Sequence, residues 1–401
     1  MNFQTNDKKE SYFLSQPHQP FFLSGIIWAV VFMILFLLSY KGVAQIIVAA
    51  NEFHLYSLAF VVFIQFFHGF LFTTFPRFCS TNVVPKSVYK NIFMMYQIGS
   101  LVYTAGIFSS LVVVYIGVIT LLMAQLLAIY TLYNIYKVSK VAMKTDQFWM
   151  LIAHIFGAVA HIIFAISIAM ELLEVNYSLF FIASPLTVNM FLIFMTFSVA
   201  QRMVPFFSHS MVSKDSRLIY IVFGGFIIKT IASILGFSII DAIVSIALSL
   251  IVAREFIRWK MTSKTAPAIL TILHIAIFWL PLGLFLGGVA TILEVFTQNS
   301  FYYLSQHLLL LGVLTTILIG FGTRVTLGHS GQSPFADRLT IAIFYLTQVV
   351  VLSRAALSID VFVGAYARWL FDLSVLIWII MFGLWAYRYG YTLIFGYKRA
   401  S

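Results

Sequence analysis

Charge is what this sequence has least of. Only 9% of its 401 residues are Asp, Glu, Lys or Arg, against roughly a quarter in a soluble domain. No long hydrophilic stretch interrupts the chain, which excludes an ordinary water-soluble globule. Cysteine is nearly absent: one residue, Cys79, excludes an intramolecular disulfide and leaves the redox compartment open. There is no phosphate-binding glycine loop, no GxSxG elbow and no CxxCH motif, so any haem must be held non-covalently. No small-residue cleavage site follows the first apolar run, which reads as a retained span rather than a signal peptide. No convincing internal repeat is visible. Basic residues never cluster densely enough to track phosphates, so a net charge of +11 does not point to nucleic acid.

What is there is apolar: 62% of the residues are hydrophobic. Apolar runs of bilayer length recur about twelve times, near 21–40, 53–75, 88–106, 109–136, 147–170, 178–200, 217–236, 238–257, 267–293, 302–322, 338–357 and 361–390. The expected fold is all-α, a polytopic transmembrane helical bundle forming one integral membrane domain. Residues 1–20 would be a cytoplasmic N-terminal segment, 21–390 the bundle and 391–401 a cytoplasmic tail. Loop charges fit this count. Loops after even-numbered spans carry Arg77, Lys86, Lys90, Lys137, Lys140, Lys144, Arg202, Lys214, Arg217, Arg254, Arg258, Lys260, Lys264, Arg324 and Arg338. Lys8, Lys9, Lys398 and Arg399 lie at the two ends. Loops after odd-numbered spans carry Lys41 and Arg354, and otherwise acids: Glu52, Glu171, Glu174, Asp241, Glu294 and Asp360. The positive-inside rule then puts both termini in the cytoplasm.

Span direction sets depth. His54 in span two and His307 in span ten fall near the outer face. His68, His154 and His274 fall roughly 10 Å in from the inner face by helical rise, His161 lies near the midplane, and His18, His209 and His329 belong to the cytoplasmic surface. Imidazoles inside a bilayer are costly and tend to mark function, although each could instead donate one hydrogen bond to a neighbouring helix. Lys229, within span seven, reads as a snorkelling or cavity-facing lysine. Cys79 reads as a small buried residue before it reads as a soft ligand.

Several stretches carry a family likeness: PHQPFF (Pro17 to Phe22), NEFHLY (Asn51 to Tyr56), FTTFPRF (Phe72 to Phe78), RMVPFFS (Arg202 to Ser208), LHIAIFWLPLG (Leu273 to Gly283), SQHLLLLG (Ser305 to Gly312) and GTRVTLGHSGQ (Gly322 to Gln332). Together they resemble the NnrS family of bacterial membrane proteins. Gln19 replaces an arginine of that pattern. His54 fits the second histidine of a WHAHEM-like run, whose first histidine is replaced by Glu52. The resemblance implies a multi-pass protein of the bacterial inner membrane that carries haem b and copper and acts in the nitric oxide (nitrosative) stress response or denitrification. Its partners would be the lipid bilayer and nitric oxide or a redox partner.

On that footing His54 and His307, at matched depth, are the expected axial haem ligands. Arg354 and Arg368 are candidates for the haem propionates, with an Arg368–Asp372 ion pair as the alternative for Arg368. Copper needs two or three neutral imidazoles; the candidates are His274 with His161, or His18 with His329. A pair of histidines in spans two and ten is also similar to the low-spin haem site of haem–copper oxidases, whose copper histidines in spans six and seven have no counterpart here. An iron with two imidazoles has no open position for gas, so electron transfer or redox sensing is expected, and turnover is left open. The competing expectation is a twelve-span secondary transporter without cofactor, for which Gly224-Gly225 and Gly287-Gly288 would be interruptions of the helices.

Overall fold

A computed structural model describes residues 11–175, 177–210, 212–260 and 266–396. Lys8, Lys9, Lys264, Lys398 and Arg399 lie outside the described residues, as do the first ten residues of the N-terminal segment and the last five of the tail. After a 3-10 turn at Tyr12–Leu14, the described chain forms helical rods and no strand. They are α1 (His18–Tyr40), α2 (Ala50–Phe78), α3 (Lys86–Gly106), α4 (Leu111–Val138), α5 (Thr145–Leu172), α6 (Phe180–Phe207), α7 (Leu218–Ile234), α8 (Ser238–Arg258), α9 (Ala268–Thr297), α10 (Leu304–His329), α11 (Arg338–Phe362) and α12 (Trp369–Phe395). Each expected span finds a rod. The last begins later than expected, at Trp369, because the chain turns at Gly364 with φ 77°.

By length and composition nine of the described rods can cross a membrane. α7 is apolar but shorter, and α3 and α8 carry more polar or charged residues. The protein is therefore a multi-pass membrane protein. Lipid gives helices no hydrophobic reason to associate, so close packing holds them together. α3 and α4 illustrate this: a Cβ at Gly106 would sit 2.5 Å from the backbone nitrogen of Val114, and one at Gly117 2.5 Å from that of Tyr103.

The rods are not equally enclosed. In α2 and α10, 89% and 78% of the membrane-length stretch is buried, against 39% in α12. The two helices carrying His54 and His307 are thus interior.

Although no repeat is visible in the sequence, helix adjacency recurs every fourth rod. α3 packs on α4, α7 on α8 and α11 on α12. α4 packs on α5, α8 on α9 and α12 back on α1, and the inner rods α2, α6 and α10 touch one another. Each inner rod also contains a π-helical stretch: Ser57–Phe63, Leu186–Ile193 and Leu308–Thr315. At their C-terminal ends the inner rods interlock. The Arg202 guanidinium of α6 lies 4.5 Å from the ring centre of Phe78 on α2, and that of Arg324 on α10 lies 3.9 Å from Phe207 on α6. Arg77 on α2 completes the round as an electrostatic neighbour of His329 on α10.

Candidate cofactor site

The site is built where α9 turns into α10. Gln298 ends α9 in the left-handed region, and Tyr302 and Tyr303 follow with φ of 44° and 61°. Phe301 stacks on Phe362 of α11, ring centres 3.9 Å apart and planes within 8°, which fixes the turn against its neighbour. Two consecutive left-handed residues aim successive carbonyls inward. That of Tyr302 accepts from Arg354 Nη2 at 3.0 Å and from Ser358 Oγ at 3.3 Å. That of Tyr303 accepts from His307 Nδ1 at 2.8 Å. A carbonyl can only accept, so Nδ1 carries the proton and Nε2 keeps its lone pair.

His54 stands one turn into α2 and stacks on Phe36 of α1, ring centres 4.2 Å apart. Its ring centre lies 6.4 Å from that of His307, with planes 25° apart. Both histidines line a cavity of about 210 Å³. Its wall is mostly apolar, with Phe36, Leu58, Leu310 and Trp378, and Arg354 is its strong cation. All three π-helical stretches reach this cavity, through Leu58 and Phe63, Val188 and Leu192, and Leu310 and Leu311. Such π-turns often occur at functional sites.

The separation of the two ring centres can be compared with that of two imidazoles on one iron. Two metal–imidazole bonds of about 2 Å, plus the ring radius on each side, come to roughly 6 Å between ring centres. The backbone bond to His307 Nδ1 is the outer-shell contact that metal-ligating histidines usually make. Arg354 is 7% exposed and further held by Ser358 Oγ at 2.8 Å. Arg368 does not line the cavity. It lies exposed at the start of α12, and Asp372 is paired instead with Lys41 at 2.7 Å.

The remaining histidines fall into separate places. His161 is fully used: Nε2 bonds Tyr56 Oη and Nδ1 bonds Gln125 Oε1, each at 2.8 Å. His274 Nε2 lies 2.7 Å from Ser208 Oγ. His18, expected at the cytoplasmic surface, instead opens α1 and is 2% exposed, with its ring 4.8 Å from that of His329. His68 and His154 share one depth in the sequence, where nothing pairs them. Here their Nε2 atoms are 2.9 Å apart, both rings are fully buried, and both Nδ1 atoms lack a partner. Phe21, Phe72, Tyr96 and Phe191 surround the pair. Among the described residues no three His, Cys, Asp or Glu side chains gather into a metal-binding group.

The sequence model of the family described as NnrS protein matches residues 12–395, nearly the whole chain. The chain belongs to the NnrS family. No curated protein matches it. Within this NnrS family member the matched region contains every histidine discussed above and the whole bundle.

Proposed function

We propose that this chain is a haem- and copper-binding protein of the bacterial inner membrane that takes part in the nitric oxide response or denitrification. The observation that carries the reading is the pair His54 and His307, opposed across two interior helices at 6.4 Å. They would be the axial ligands of a non-covalent haem b. Bound there, haem would supply one-electron redox chemistry.

The protein's own residues do the rest. Tyr303 orients the His307 ring, and Phe36 holds the His54 ring flat. Arg354 offers a buried guanidinium to a carboxylate, a geometry suited to bidentate binding. Arg368, exposed where α12 begins and not lining the cavity, could meet only a carboxylate that extends beyond the cavity. The apolar wall keeps water from the redox centre, and low dielectric there strengthens each of these contacts.

For copper, two imidazole pairs compete. Arg77 is an electrostatic neighbour of both His18 and His329 and opposes a cation there. His161 is occupied by its hydrogen bonds, and His274 has no imidazole partner among the ring contacts of the described residues. His68 and His154 converge on one point in a dry, neutral setting suited to a soft ion with few ligands. Their Nε2 atoms would hold it, supplying two neutral imidazole donors. We therefore assign copper to His68 and His154, with His18 and His329 as the pair to compare.

The test is the visible spectrum and metal content of the purified protein. A Soret band is expected in wild type and lost in His307→Ala, with copper lost in His68→Ala/His154→Ala and kept in His18→Ala/His329→Ala. A folded, colourless wild-type protein would overturn the haem reading and favour a transporter. Copper lost from the His18/His329 variant instead would move the copper site there.

A further inference from the structure

A second cavity, of about 410 Å³, lies among α6, α7, α8, α9 and the start of α10. Its wall is polar, with Asn189, Lys229, Ser233, Asp241, Thr291 and Glu294 among the lining residues. Lys229 and Asp241 are 7% and 8% exposed and form an ion pair. Ser245 Oγ lies 2.9 Å from Lys229 Nζ and 3.1 Å from the carboxylate, and Ser233 also donates to Asp241. These elements meet at one end of the bundle, where α6, α8 and α10 begin and α7 and α9 end. That is the end at which His54 and His307 lie. The two cavities share Ser184, Val188, Tyr302, Tyr303 and Gln306 as a common wall.

A buried ion pair is a poor way to stabilise a bundle, since well-packed apolar residues usually do as well or better. In membrane segments such pairs tend to mark ion or proton paths. The cavity has room for about a dozen waters at ~30 Å³ each, and its lining offers the several polar partners each water needs.

We propose that this cavity is a hydrated proton path ending on the Lys229–Asp241 pair, open to the bilayer face at which the histidine pair lies. A hydronium in the cavity gives its proton to the Asp241 carboxylate and becomes water; the reverse step returns it. Lys229, Ser233 and Ser245 remain bonded in both states. The other titratable groups facing the pair are Glu294 from α9 and Tyr302 and Tyr303 from the segment before α10; α6 presents Ser184 and Asn189.

Two measurements on the full-length protein test this, and neither needs a bound cofactor. In a Cys79→Ser background, cysteines at Asn189 and Thr291 are treated with a membrane-impermeant cationic thiosulfonate on oriented vesicles. Both are expected to react at least tenfold faster than a cysteine at Ile228, which is 50% exposed on α7 and does not line the cavity, and from one side alone. Rates no faster than at Ile228 would mean a dry cavity and overturn the proposal. Second, infrared difference spectra between acid and neutral pH are expected to contain a protonated-carboxyl band that disappears in Lys229→Met/Asp241→Asn. The double change avoids leaving one charge unpaired, and its thermal unfolding checks that it folds. A double variant that folds and keeps every carboxyl band would reduce the pair to a pin between α7 and α8. Because both readouts are independent of haem, a colourless protein leaves this result intact.

Discussion

Nδ1 of His307 donates to the carbonyl of Tyr303 across 2.8 Å, one helical turn back along the chain. The same carbonyl accepts the His307 amide at 3.1 Å as the first bond of α10, and Tyr303 holds φ 61° there, following Tyr302 at 44°. Backbone strain thus lies beside the cavity and next to the ring paired with His54, a usual place for strain to be stored.

Replacing Tyr303 tests that strain. The left-handed conformation costs an L-residue about 1–2 kcal/mol, while glycine adds about 0.4–1 kcal/mol of chain entropy to lose. Tyr303→Gly is therefore expected to leave the unfolding temperature unchanged or raise it slightly. Tyr303→Val, β-branched in the same conformation, should lower it. Thermal unfolding in detergent distinguishes the two.

Arg354 ties α11 to the turn before α10. Arg354→Leu removes one donor to the part-buried Tyr302 carbonyl, which Ser358 still reaches, and should destabilise the fold by about 1 kcal/mol, the net worth of one hydrogen bond. Arg354→Lys keeps the charge but not the forked geometry, so it should restore part of the stability and little of the haem retention. Denaturation midpoints and haem loss to an apo-globin acceptor measure these separately.

Asp337 caps α11 and supplies a pH dependence outside the membrane segments. Burial alone would raise its carboxyl pKa. Hydrogen bonds from the Thr340 side chain at 2.7 Å and backbone at 2.8 Å, together with Arg388, outweigh burial and hold it below the usual carboxylate range. A pKa lowered by folding stabilises the protein above the unfolded value near 4. That stability is lost as pH falls through the lower folded value. Asp337→Ala should cost about 1 kcal/mol at neutral pH. Asp337→Asn should keep the cap but flatten the stability profile below about pH 4. Unfolding curves against pH are the check.

Cys79 follows α2 and is fully buried. Burial pushes its thiol pKa up, more than Ser139, Lys144 and Arg202 lower it. The reactive form is the thiolate, so iodoacetamide at pH 8 should leave the folded protein unlabelled and label it after denaturation. Labelling of the folded state would contradict this burial.

Much of this arrangement could be read from residue order, because charge alternation fixes helix direction and direction fixes depth. The alternation places His54 and His307 at one level and Arg354 at the same end. It could not supply azimuth. His68 and His154 were legible as equal in depth but not as hydrogen-bonded to one another, and Arg368 does not line the cavity although Phe371, three residues on, does. Lys229 looked solitary because its partner, Asp241, is on the next helix beyond a tight turn. The π-helical stretches and the fourfold spacing of adjacent rods left no mark in composition, since apolar residues at all faces carry no phase.

The most direct measurement is low-temperature electron paramagnetic resonance of the oxidised wild-type protein beside His54→Ala and His307→Ala. Opposed rings with planes 25° apart should give a rhombic low-spin ferric signal from near-parallel imidazoles, converted to high spin or lost in each single variant. A low-spin signal that survives either substitution, or a wild-type protein without ferric haem, would contradict ligation by this pair.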